Sequence, residues 1–193
     1  MLVFYLYIFI LCLCLAVSII NKAARRRYWW SYFAFVLISE ILIFTSILDN
    51  SFYDKANCVH IMFFLLYFKA EVVERKVYKL ILGAIFLISF LILLIPDLKI
   101  NTNIFKSFVF IYLSIDWFVN QIKKPNEAVI YHKMSFWASS SILLWSTIFI
   151  IRIIPGQFFA DIDLNFLKLI DRLYQIITII SYLFILKGLF CKQ

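Results

Sequence analysis

Seven apolar stretches, with lysine and arginine gathered in the breaks between them, leave this chain few ways to fold. They lie near Leu2–Ile20, Tyr28–Leu48, Asn57–Val73, Leu80–Ile95, Ile104–Ile122, Met134–Ile154 and Phe166–Phe190. Several reach the roughly 20 residues that a helix needs to cross a bilayer core of about 30 Å. With 65% hydrophobic and 16% charged residues, a soluble domain of 193 residues could not hide so much apolar surface. Lipid offers no partner to an open backbone amide, so the spans must be helices. The roughly 10-residue alternating segments of a membrane β-barrel are absent. The expected fold is an all-α, polytopic transmembrane bundle of seven helices, a single domain over residues 1–193.

Charge bias sets the orientation, because lysine and arginine concentrate in short cytoplasmic loops. With seven spans, one side collects Lys22, Arg25, Arg26, Arg27, Lys69, Arg75, Lys76, Lys79, Lys123, Lys124, Lys133, Lys187 and Lys192, thirteen in all. Six remain on the other side: Lys55, Lys99, Lys106, Arg152, Lys168 and Arg172. The third span is the weakest, since its apolar run from Cys58 to Phe68 is short and Lys69, Glu71 and Glu74 follow at once. Read as a re-entrant or interfacial segment, it would leave about nine basic residues against ten and no orientation signal. Seven spans, amino terminus outside and carboxyl terminus inside, account better for the pattern. Thirteen bases against Glu71, Glu74 and Glu127 give the inner side a net charge of +10. That charge points to anionic lipid head groups rather than to sequence-specific nucleic-acid binding. The first span lacks a preceding basic region and a small-residue cleavage site, and is expected to be an uncleaved helix. Tyr28, Trp29 and Trp30 are expected to form an aromatic belt at the inner boundary.

Polar residues inside the spans are the candidate site. Glu40 lies in the second span, where a carboxylate must face protein, find a partner or be neutral. It reads either as a proton or ligand site or, preferably, as a buried hydrogen-bonding residue that fixes helix order. Asp116 and Asn120, one turn apart in the fifth span, lie at a depth similar to Ser139, Ser140 and Ser141 of the sixth. They form a candidate polar pocket toward the cytoplasm, although interhelical hydrogen bonding explains the same residues. His60, Asp171 and Arg172 fall in the outer half near Glu40, and Glu40–Arg172 is a candidate ion pair. Alternatively, the amphipathic segment from Leu164 to Arg172 lies along the interface and leaves Asp171 and Arg172 in water.

Motifs for chemistry are sparse. Asp161-Ile162-Asp163 reads as a turn before the last helix rather than a metal site. Cys12, Cys14, Cys58 and Cys191 have no zinc or redox spacing. Glu71-x-x-Glu74-Arg75 has only a passing likeness to the acidic motif of membrane CAAX-type proteases, without the histidine-bearing helices that should follow. There is no phosphate loop, H-E-x-x-H or G-x-S-x-G. No cofactor or metal is expected, and no catalytic residue.

Across the chain runs an ordered pattern: Tyr32, Phe33, Glu40 and Phe44; Asn57 and Phe63-Phe64-Leu65-Leu66-Tyr67-Phe68-Lys69; Met134-Ser135-Phe136-Trp137; Tyr174 and Tyr182; then Cys191-Lys192. It resembles the small seven-helix membrane proteins of Bacteroidota genomes. In size, hydropathy and Lys/Ile/Phe-rich texture the chain is also similar to the membrane accessory protein encoded beside the RNA-targeting effector of type VI-B CRISPR systems. That resemblance implies a non-enzymatic, multi-pass inner-membrane protein that modulates an RNA-guided nuclease, and it carries over no site residues. By the charge of the inner face, Arg25, Arg26, Arg27, Lys123 and Lys124 are the candidate site there for lipid or a cytosolic ribonucleoprotein effector. The alternative is a small-molecule sensor or transporter built on Glu40 and Asp116. A transport path through so small a chain would call for a homo-oligomer.

Overall fold

The computed structural model describes residues 2–49, 51–69, 76–94, 101–123, 129–158 and 164–191. Among them are eight α-helices and no strand: α1 (Leu2–Ile20), α2 (Lys22–Arg26), α3 (Trp29–Phe44), α4 (Phe52–Lys69), α5 (Lys76–Leu94), α6 (Thr102–Lys123), α7 (Met134–Phe158) and α8 (Leu164–Leu189). A 3-10 turn at Ile130–His132 leads into α7. Seven of the helices coincide with the apolar stretches. The eighth, α2, falls in the basic segment between the first two.

Local chemistry explains where the helix limits depart from expectation. Asn21 starts α2 by accepting the Ala23 backbone N–H, while its own amide donates to the Leu189 carbonyl at the end of α8. Tyr28, at φ 60°, then turns the chain into α3. At the far end, Ser46 takes φ 58°, and the Ile47 N–H reaches the Leu42 carbonyl while that of Ser46 reaches Ile43. This doubly bonded left-handed cap closes α3 at Phe44, one turn short of the expected Leu48. At α4 the helix begins at Phe52 rather than Asn57, because Asp54 at its amino end is favourable to the helix dipole. Pro155 does not stop α7, which continues to Phe158. Leu164 to Arg172 is the first part of a continuous α8, with Asp171 and Arg172 exposed.

Contacts fix the helix directions. Cys14 meets the Tyr182 carbonyl and Asn21 meets that of Leu189, so α1 and α8 run parallel in constant register. Phe64 packs on Phe110, and Asn57 bonds Asn103, so α4 and α6 are parallel as well. Helices α3 and α7 run the opposite way, with Phe44 stacked on Phe4 and Trp137 against Phe184. The α7–α8 pair has the most extensive contact. There Gly188 lies so close to α7 that a Cβ would come within 2.9 Å of that of Trp137, and buried Ser141 donates to the Ser181 carbonyl. Small residues let the two backbones approach.

Trp29 is the centre of an aromatic core joining α3 to α4, with ring centroids 5.0 Å from Tyr67, 5.1 Å from Phe63 and 5.6 Å from Phe33. It is fully buried, which corrects the expected belt: only Tyr28 and Trp30 of the three aromatics face outward. Helices α4 and α6 carry charged and amide side chains along their length, yet they hold many of the buried residues. Among the described residues, three helices are long and apolar enough to cross a membrane: α1, α7 and α8.

Candidate functional site

The helix directions bring the start of α1, the end of α3, the starts of α4, α6 and α8 and the end of α7 to one end of the bundle. Between these six helices lies a cavity of about 1120 Å³. Exposed Asp54, Asn101 and Gln175 line it toward that end, while Ser141, Ser181 and Tyr182 line it deeper.

Glu40, in the last turn of α3, is half-buried on one wall. The Tyr7 hydroxyl of α1 donates to its Oε1 at 3.1 Å, and the Tyr53 hydroxyl of α4 donates to Oε2 at 3.0 Å. Both donors are neutral phenols, so the carboxylate is oriented but not neutralised by them.

Across α4, one turn beyond Tyr53, Asn57 organises the second wall. Its Nδ2 donates to Thr102 Oγ1 at 3.1 Å and to Asn103 Oδ1 at 2.8 Å. Its Oδ1 accepts from the Lys106 ammonium at 2.5 Å. Thr102 in turn donates to Asp54 Oδ1 at 2.5 Å. Lys106 is 8% exposed, and its Nζ sits 4.3 Å from the centroid of the Trp145 ring. A buried ammonium is retained only where hydrogen bonds or an aromatic face replace its water.

A third group stands where α7 meets α8. Arg152 Nε pairs with Asp171 Oδ1 at 2.6 Å, and its guanidinium lies 4.6 Å from the Tyr174 ring. Those side chains are 40% and 51% exposed, so the pair adds little stability. His60 also lines the cavity, between the Tyr32 and Phe35 rings, and its buried Nδ1 has no hydrogen-bond partner among the described residues.

Of the candidate polar residues singled out in the sequence, Glu40, His60, Ser141 and Asp171 line this cavity. Arg172 is exposed on α8 and is not on its wall; the partners of Glu40 are the two tyrosines. Asp116 and Asn120 bond each other within α6, Nδ2 to Oδ2 at 2.8 Å. They lie ten residues or more beyond Lys106, about 15 Å along the helix axis, and do not line the cavity. Ser140 is half-buried on α7 and also off the wall, although its neighbour Ser141 is on it. Arg25, Arg26 and Arg27 stand at the opposite end, the first two exposed and the third 5.3 Å from the Tyr67 ring. Lys123 is exposed there too, at the end of α6. Lys124, Glu71, Glu74, Asp161 and Asp163 lie outside the described residues. Among the described residues no cluster of three His, Cys, Asp or Glu side chains is placed to hold a metal.

Sequence reading missed Tyr7, Tyr53, Asn57 and Lys106 as site residues. A signal was present: Asp54, Asn57 and His60 repeat every three residues along α4, as do Asn103 and Lys106 on α6, which gives each apolar helix one polar face. Comparison with protein-family models, with curated proteins and with solved structures finds no match to this chain.

Proposed function

We propose that this chain is a multi-pass membrane protein whose seven long helices span the bilayer, and that it binds a small polar solute in the cavity, as a sensor or a transporter. The observation that carries this reading is that Glu40 and Lys106 line one cavity, inside helices otherwise rich in apolar residues. Ionisable groups within spans are costly and mark binding sites or ion paths by default. The outer surface supports the bilayer: Tyr5, Phe9, Leu87, Leu94, Leu173 and Ile176 are exposed with many other large apolar side chains, an area that water does not tolerate. The cavity is assigned to the outside, because the basic loops cluster at the other end. On this reading the protein is a binding protein and not an enzyme.

Thiol labelling tests it. With Cys12, Cys14, Cys58 and Cys191 replaced by alanine, Thr178→Cys is to be exposed in intact cells to a membrane-impermeant, cationic methanethiosulfonate. Thr178 lines the cavity, whereas Leu173, nearer the start of α8, is exposed on the lipid side. Thr178→Cys should react and Leu173→Cys should not, although Thr178 lies deeper. Reaction of Thr178→Cys only after permeabilisation would reverse the orientation. No reaction even then would remove the open cavity.

Arg25 and Arg26, exposed at the basic end, favour a second reading, in which that end holds anionic lipid or a ribonucleoprotein effector and the chain is a regulatory accessory. Its test is co-purification of the RNA-guided effector with wild type but not with Arg25, Arg26 and Arg27 changed to Gln. No association with either form would remove direct contact through this segment.

A further inference from the structure

We propose that the ligand of the cavity is a small zwitterion of the amino-acid class, its carboxylate received by Lys106 beside Asn57 and its ammonium by Glu40 between Tyr7 and Tyr53. This inference rests on the reading of the cavity as an open binding site.

Two charges on the cavity wall, neither of them exposed, are without an ion-pair partner among the described residues. Among the described residues the ion pair at this end joins Arg152 to Asp171, so those two charges answer each other. Asp54 accepts from Thr102 and is exposed, where water solvates it. That leaves Glu40 and Lys106. Glu40 accepts one phenol on each oxygen, and a carboxylate offers about four lone-pair sites, so each oxygen keeps one. Lys106 donates one hydrogen bond to Asn57 Oδ1 and turns toward the Trp145 face, with further N–H donors left over. The two groups form no ion pair with each other.

Their placement favours one ligand that reads both. Tyr53 and Asn57 are successive-turn neighbours on α4; the first holds Glu40 and the second holds Lys106. The two charges therefore flank the same stretch of one helix and line the same cavity. A lone anion would satisfy Lys106 and leave Glu40 unanswered, and a lone cation would do the reverse. A molecule with both groups compensates each in a partly dry site, where unpaired charge is most costly. The partnerless Nδ1 of His60 on the same wall supplies a further polar contact.

The test uses the labelling of Thr178→Cys as its readout, in purified protein in neutral detergent. Glycine, β-alanine, 4-aminobutanoate and 6-aminohexanoate form a series of growing charge separation, with an equimolar mixture of propylamine and propanoate as the untethered control. One member of the series, at about ten times its Kd, should slow labelling about tenfold, and the mixture should not. Glu40→Gln and Lys106→Gln should each abolish the slowing, read within each variant as the ratio of its labelling rates with and without the probe. Should either variant fail to give a monodisperse protein, the tethered-against-untethered comparison in the wild-type site decides alone. Protection by propanoate alone, by propylamine alone or by the mixture would overturn the zwitterion. So would labelling that no probe slows, which leaves the open cavity standing. Absence of labelling removes the cavity reading itself.

Discussion

Asn57 uses both donors of its side-chain amide and one lone pair of its oxygen, with two donations and one acceptance from an ammonium. Its removal therefore strands a charged partner as well as a hydroxyl. Bonds to charged groups contribute about 1.5–3 kcal/mol, so Asn57→Ala should lower stability by about 3 kcal/mol, read as a shift in detergent unfolding. A loss below about 1 kcal/mol would show that water replaces the amide and that the wall is not organised by it. Glu40 makes a graded case. Glu40→Gln keeps an acceptor for one tyrosine, whereas Glu40→Leu leaves both Tyr7 and Tyr53 hydroxyls without the carboxylate. Leaving a buried donor unsatisfied costs about 1–3 kcal/mol, so Leu should be the more destabilising by at least that amount. Equal stability of the two variants would mean that the tyrosines find other acceptors. Gly188 is tested by size alone. Gly188→Leu drives its side chain into Trp137 and the Met134 carbonyl, and should separate α7 from α8 at a cost of about 1–3 kcal/mol or more. A thermal midpoint matching wild type would contradict so close an approach.

At the scale of elements, local pattern carried far, and then stopped for identifiable reasons. The limits of α1 and the start of α7 at Met134 coincide with the apolar stretches, because there the hydropathy changes where the helix does. The basic segment after α1 reads as a loop by charge, yet Asn21 caps a short helix within it. Ser46 ends α3 from the left-handed region without the glycine that would have advertised it. α4 is the weakest span by sequence because its apolar run from Cys58 to Phe68 is short and charge follows at once; Tyr53, Asp54 and Asn57, ahead of that run, line the cavity and make the helix central to the site. Glu40 stood out in the sequence because one carboxylate in an apolar run is visible locally. Lys106 and Asn57 did not, since their roles depend on the parallel register that sets α4 beside α6, about 49 residues apart in the chain. Register of that kind is tertiary information. It also makes a prediction: replacing Asn21 with Ala removes the α2 cap and the tie to the Leu189 carbonyl together. Cap loss alone typically costs about 1 kcal/mol, so a larger loss, with faster exchange of the α8 carboxyl-end amides, is expected. Unchanged exchange there would show that α8 docks without this tie.

For the whole molecule, the two ends differ in kind. Glu40, Asp54, Lys106, Arg152 and Asp171 gather around the cavity at one end, while Lys22, Arg25, Arg26, Arg27, Lys69, Lys123, Lys133 and Lys187 stand at the other. If the long helices cross a bilayer, the end rich in basic residues should stay in the cytoplasm, because positive loops resist translocation. A reporter active only in the cytoplasm should therefore work when fused after Gln193 and fail when inserted between Asp49 and Ser51, ahead of α4. The opposite pair of results would invert the molecule and turn the cavity inward. Changing Arg25, Arg26 and Arg27 to Gln separates orientation from binding. Ten basic residues would still oppose six, so the triple variant should keep the wild-type reporter pattern. Each lysine or arginine near an anionic leaflet contributes about 1 kcal/mol, so removing three should weaken retention on anionic vesicles of detached basic-segment peptide by a large factor. An inverted reporter pattern in the triple variant would show that this one cluster, rather than the summed bias of the loops, fixes the way the chain enters the membrane.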